Sequence, residues 1–145
     1  MRLLRVLAAV LALSTAAVAT ASAADEKAQV AAAYAAWDAA FNKADAKAVA
    51  AFYADDAKLL PPSHEVIVGP AGVENFFAGL FANGTTDHAL EPIEVGGSGD
   101  LVFSAAKWSA KGKGSDGSPQ DWGGIAVHVF EKAGDGMKLK LHTFN

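Results

Sequence analysis

The side-chain period of this chain changes once, at Asn83-Gly84, and that change limits the fold more than any other feature. Before it, apolar residues recur three and four apart; after it, they alternate. Val30, Tyr34, Trp37 and Phe41 mark one face of a first helix, with alanines filling the gaps. Asp25 and Glu26 in its first turn suit the positive end of the helix dipole. Asn42 to Asp45 interrupts the pattern, and Asp45 is placed to cap a second helix that ends at Asp55-Asp56. Its buried stripe is Val49, Phe52 and Tyr53. Lys58 to Leu60 reads as a short strand, which Pro61-Pro62 ends by removing two ladder donors. Glu65 to Val68 is extended. Gly69-Pro70 opens a third helix with Val73, Phe76, Phe77, Leu80 and Phe81 inward, and Asn83-Gly84 closes it with a left-handed cap.

Beyond Gly84 the spacing predicts a meander of long strands. Asp87 to Val95, broken at Pro92, turns through Gly96 to Asp100 into Leu101 to Lys111. The polar loop from Gly112 to Gln120 leads to Asp121 to Lys132, and Gly134-Asp135-Gly136 leads to Met137 to Asn145. The expected class is α+β, three N-terminal helices packed on an antiparallel sheet. No internal repeat, linker or second domain interrupts it.

Residues 1–23 read as a signal peptide. Arg2 and Arg5 precede an apolar run from Leu3 to Ala17, and Ala21-Ser22-Ala23 is a small-x-small cleavage signature before Ala24. The run is short for a membrane span. The expectation is export, to the periplasm or the medium, with residues 24–145 as one domain that keeps no membrane attachment. Without Arg2 and Arg5, ten basic residues face sixteen acidic ones, a charge of −6. That balance disfavours nucleic acid as a partner. The chain has no Cys, which removes disulfide scaffolds and thiol nucleophiles from consideration.

The order of elements over residues 34 to 77, from Tyr34-Ala35-Ala36-Trp37 through Pro61-Pro62 to Gly69-Pro70, resembles the nuclear transport factor two-like superfamily. Its members include ketosteroid isomerases, scytalone dehydratase and the SnoaL polyketide cyclases. Gly99-Asp100-Leu101-Val102, Trp108, Asp116-Gly117, Gly124 and Asp135-Gly136 have the spacing of its SnoaL-like domains. The resemblance implies a cystatin-like cone, a curved sheet and helices around an apolar pocket. In ketosteroid isomerases a Tyr on the first helix and an Asp beside a Pro carry the chemistry. Aligning Ala40 to Asp45 and Tyr53 to Ala57 with them puts Trp37 at the Tyr and Pro61 at the Asp. Neither residue replaces its counterpart's function. Tyr53 matches a pocket-lining Tyr of that family.

Scytalone dehydratase, by resemblance, directs attention to a His/Asp acid–base pair. Asp38, His64, His88, His128 and His142 are the available groups. Asp38 points about a hundred degrees around the helix from Trp37, toward solvent or a neighbouring loop. His64 lies in the loop after the prolines, near the expected pocket mouth, and His88 at a strand start. Trp122, Gly124, Ala126, His128 and Phe130 alternate with Gly123, Ile125, Val127 and Val129. Both faces are apolar, so His128 sits either in the pocket or at a covered structural or dimer face. His128 and His142 oppose each other across the last hairpin if its loop holds three residues and are offset if it holds two. No metal site and no cofactor are expected, and no Gly-x-Ser-x-Gly elbow supports hydrolysis.

The remaining signal is aromatic. Trp37, Tyr53, Leu60, Phe77, Trp108 and His128 are the expected pocket lining, suited to a small, mostly apolar molecule with one or two polar atoms. A homodimer through the outer sheet face is expected, because two apolar faces leave one to be covered. Three functions fit: an exported binding domain without defined chemistry, a small-molecule lyase, isomerase or cyclase, and a purely structural dimerisation module.

Overall fold

The computed structural model describes the backbone of residues 7–145 and the side chains of residues 23–145. The leader expected over residues 1–23 falls outside those side chains but for Ala23. Helix α1 (Leu7–Phe41) is followed by a single-turn α2 (Ala46–Ala50), strands β1 (Tyr53–Leu60) and β2 (Ile67–Val68), and α3 (Gly69–Ala82). Four long strands complete the chain: β3 (Thr86–Ser98), β4 (Leu101–Lys113), β5 (Pro119–Ala133) and β6 (Gly136–Phe144). The sheet order is β2-β1-β6-β5-β4-β3. Among the described residues no helix is long and apolar enough to cross a membrane.

Helices α1 and α3 supply the cover of the sheet, as their spacing requires. Val30, Tyr34, Trp37 and Phe41 of α1 are all buried, as are Val73 and Phe77 of α3. Asp45 caps α2 by accepting from the Ala48 amide at 2.9 Å. Gly69 opens α3 at φ 68°, where a Cβ would stand 2.8 Å from the Asp55 carbonyl, so only glycine lets the chain turn there.

Two expectations need correction here. The second helix stops at Ala50, not at Asp55-Asp56, and Tyr53 already belongs to β1. Tyr53 pairs with Leu139 of β6, and the Leu139 amide donates to the Phe52 carbonyl at 2.9 Å. A partner 86 residues away thus overrides the helical preference of an alanine-rich segment. The sheet is also mixed, since β1 runs parallel to β6 while its other pairings are antiparallel. The α+β class with three helices on one curved sheet holds.

The last hairpin resolves the register of the two histidines. Its loop is the two-residue Gly134-Asp135, since Ala133 pairs with Gly136, and that alone offsets His128 from His142. A bulge between Val129 and Phe130 then inserts Lys140 as an extra residue of β6 and restores the pairing, so His128 faces His142 directly. His128 lies on the helix-covered face with Ala126 and Phe130, all buried. Ile125 and Val127 alternate with them on the outer face and are 40% and 38% exposed.

Candidate functional site

A cavity of about 260 Å³ lies between the concave sheet face and the helices. Trp37 and Phe41 of α1 and Phe76, Phe77 and Leu80 of α3 form one wall. Leu90 of β3, Trp108 and Ala110 of β4, Trp122 and Ala126 of β5, and His142 and Phe144 of β6 form the other. Pro61, Pro62 and Ser63 sit at its edge, where the two prolines leave few amide donors. The lining contains no Lys, Arg, Asp or Glu. Its polar groups are Ser63, Thr85, His88 and His142, together with the Trp indoles.

His88 enters the cavity from an irregular stretch of β3. The β3–β4 register slips between Thr86 and Ala89, and Asp87 takes a left-handed φ of 53°. Such a bulge re-aims the side chain beside it. Asp38 of α1 and Asn42, the residue that follows the helix, hold this stretch from positions four apart. Asn42 Oδ1 accepts from the His88 amide at 2.7 Å, and Asn42 Nδ2 donates to the His88 carbonyl at 2.8 Å. Asp38 Oδ1 lies 2.7 Å from His88 Nδ1, and Oδ2 accepts from the Leu90 amide at 3.0 Å. A carboxylate at Nδ1 fixes the proton there and leaves Nε2 with its lone pair. The imidazole is packed between aromatic rings, with centroids 4.6 Å from Phe41 and 4.9 Å from Trp37.

Below the cavity, two tyrosine–histidine pairs are buried. Tyr34 Oη is 2.7 Å from His128 Nδ1, and Tyr53 Oη is 2.7 Å from His142 Nδ1. Burial pushes the Tyr34 hydroxyl up to about 12 and raises Tyr53 further still. Burial also drives His128 down to about 3, with the nearby His88 adding to the effect. His142 is held well below the usual imidazole range by burial, then by His128 and His88. Both imidazoles are neutral at ordinary pH. Two buried polar atoms have no hydrogen-bond partner among the described residues, Trp37 Nε1 and Thr85 Oγ1.

Of the six residues expected to line a pocket, the structure brings Trp37, Phe77 and Trp108 to the cavity. Tyr53 and His128 lie behind it, in the two buried pairs. Leu60 is on the opposite side of the sheet, because β1 alternates and Leu59 takes the inward position, fully buried. Of the catalytic candidates, Asp38 is not a solvated helix residue but the partner of His88. His64 is exposed in a left-handed turn at φ 65° and lines only a shallow outer groove. Tyr34 was legible only as core, His142 only as one of the available acid–base groups, and Thr85 carried no local signal as a cavity group. Asp38 and Asn42, polar and one turn apart where Val30 to Phe41 is otherwise alanine, valine and aromatic, were the available sign that the end of α1 grips another segment.

A SnoaL-like domain model matches residues 30–137. No curated protein sequence matches the chain. Among solved structures, a ketosteroid isomerase-like protein from Erwinia carotovora atroseptica is 26% identical, with a TM-score of 0.70 over 81% of this chain and 92% of that one. A nuclear transport factor two-like protein with a cystatin-like fold from Novosphingobium aromaticivorans is 18% identical, with a TM-score of 0.69 over 99% of this chain and 90% of that one. A nuclear transport factor two-like superfamily protein from Salmonella enterica serovar Typhimurium is 15% identical, with a TM-score of 0.70 over 84% and 91%. The last two likenesses bear on fold alone.

Proposed function

The chain belongs to the SnoaL-like domain family, and from that premise we propose that it is an exported domain that binds a small, mostly apolar molecule in the cavity on its concave sheet face. The observation that carries the reading is the cavity itself, about 260 Å³ and walled by aromatic and aliphatic side chains with a few polar groups. An apolar void of about 150 Å³ already admits a benzene ring. A substituted ring therefore fits here, and a steroid-sized molecule does not fit without expansion. The leader-like residues 1–23 support export. The apolar outer face of β4 and β5 supports a homodimer.

Calorimetric titration with a panel of one- and two-ring aromatic compounds tests the reading. Binding is expected for the wild type and is lost in Ala110→Phe, where a ring grows from the buried β4 position into the cavity. A panel that produces no heat in the wild type, or equal binding by Ala110→Phe, overturns it.

A second reading rests on the 2.7 Å contact between His88 Nδ1 and Asp38. A partly buried carboxylate that orients an imidazole, whose free nitrogen then faces an apolar site, is the arrangement of a general base. The corresponding activity is proton transfer by a lyase, isomerase or cyclase. Asp38→Asn is expected to abolish such turnover while leaving ligand affinity within about tenfold. Full turnover in that variant refutes the catalytic reading and leaves the binding one standing.

A further inference from the structure

The proton positions in the Tyr53–His142 pair define what the cavity offers a ligand. Tyr53 is 3% exposed, and among the described residues its hydroxyl has one hydrogen-bond partner, His142 Nδ1 at 2.7 Å. If Nδ1 carried the imidazole proton it would donate to the phenol oxygen, and the phenolic proton would be stranded in a buried site. Stranded buried donors are costly and rare. With Tyr53 donating, no donor is sealed in the core: Nδ1 accepts, and the imidazole proton sits on Nε2 of a ring that lines the cavity.

His142 is the member of the pair that reaches the cavity, and its Nε2 makes no hydrogen bond among the described residues. We infer that His142 Nε2–H is a fixed hydrogen-bond donor into the cavity, set in that tautomer by Tyr53, and that the ligand is a small aromatic carbonyl compound whose oxygen accepts from it. This rests on the binding reading given above. A carboxylate fits less well, because the lining offers no Lys or Arg and a bare charge in such a wall is costly. A plain hydrocarbon leaves the N–H without a partner. The groups around His142 are Tyr53 from β1, His128 from β5, Trp37 from α1 and Phe144 of its own strand, with His88 of β3 also near, and of these Tyr53 and His128 are uncharged at neutral pH. The donor is thus a neutral imidazole, which polarises a carbonyl without having to give up a proton.

Acetophenone, ethylbenzene and benzoate are near-equal in size and separate these cases. Titration of the wild type is expected to give acetophenone the highest affinity, about five- to tenfold above ethylbenzene, the scale of one hydrogen bond. Benzoate is expected to bind weakest. In Tyr53→Phe the imidazole is no longer held in one tautomer, so the advantage of acetophenone is expected to shrink while ethylbenzene binds as before. Nitrogen-15 NMR of the wild-type histidine rings reads the tautomer without any variant, and a protonated Nε2 is expected for His142. Equal affinity for acetophenone and ethylbenzene, or a proton found on Nδ1, overturns this inference alone. Failure of all three compounds to bind overturns the cavity reading and this one with it.

Discussion

Acidification between pH 7 and pH 5 is expected to destabilise the fold steeply, through two histidines that the native state keeps neutral. His128 is 1% exposed and His142 5% exposed, and their rings are 4.4 Å apart. Each has Nδ1 2.7 Å from a tyrosine hydroxyl, and protonating both ring nitrogens would remove the acceptor there. In the unfolded chain each titrates near 6.5. In the native state His128 is held down to about 3, and His142 well below its usual range. A depressed histidine binds its proton more readily when unfolded, so its stabilising contribution is complete above about pH 6.5 and is lost as pH falls toward the native value. The slope is about 1.4 kcal/mol per pH unit for a group that stays neutral, which gives about 2 kcal/mol by pH 5 for His128, and His142 adds to it in the same direction. That is a large part of the roughly 5–15 kcal/mol that holds a domain together. The exposed Asp56 and Asp116 carboxyls, held low by hydrogen bonds from Lys140 and Ser118, titrate below this window. Urea melts at pH 7, 6 and 5 and constant ionic strength measure the effect. His128→Gln is expected to lower stability at pH 7 yet to flatten the slope by about half. Equal midpoints at pH 7 and pH 5 for the wild type refute the buried neutral pair.

Truncating Trp37 to Ala is expected to cost about 3–5 kcal/mol in urea unfolding, since the ring is 4% exposed and packs against Phe41 and Phe77 with centroids 5.3 Å away in each case; a loss below about 1 kcal/mol contradicts that packing. The protein is expected to show no ketosteroid isomerase turnover above the buffer rate, because Trp37 and Pro61 hold the aligned positions of the donor and base and no carboxylate lines the cavity; measurable steroid turnover overturns the alignment. Leu101, Phe103, Ile125 and Val127 leave an apolar outer face 38% to 49% exposed, so light scattering is expected to find a homodimer that Phe103→Glu dissociates. A wild-type monomer at micromolar concentration sinks that reading.

What the sequence declares and what it hides divide along one physical line. Val30, Tyr34, Trp37 and Phe41 announce a helix face because burial repeats with the helical period, and that information is local. The glycine at 69 and the cap near Gly84 are equally local, since each answers a backbone angle. The start of β1 is not. An isolated Ala-rich segment through Phe52 and Tyr53 favours helix, and only its pairing with β6, 86 residues further on, makes it a strand. The candidate site is hidden for the same reason at every point. Asp38 looks like a solvent residue until His88, 50 positions away, closes on it at 2.7 Å. His128 and His142 face each other through one inserted residue, Lys140, and no local pattern marks that insertion because β6 satisfies its period on either side of it. Lys140 does have a reason to stand there. Its side chain reaches Asp56 of β1 at 2.5 Å and Glu131 of β5 at 3.7 Å, so the residue that breaks the register also ties the strands flanking it. Without the bulge β6 would alternate unbroken from the buried Leu139, Leu141 would take the inward place opposite His128, and His142 would turn to the outer face. The bulge therefore holds the histidine pair in register beneath the cavity.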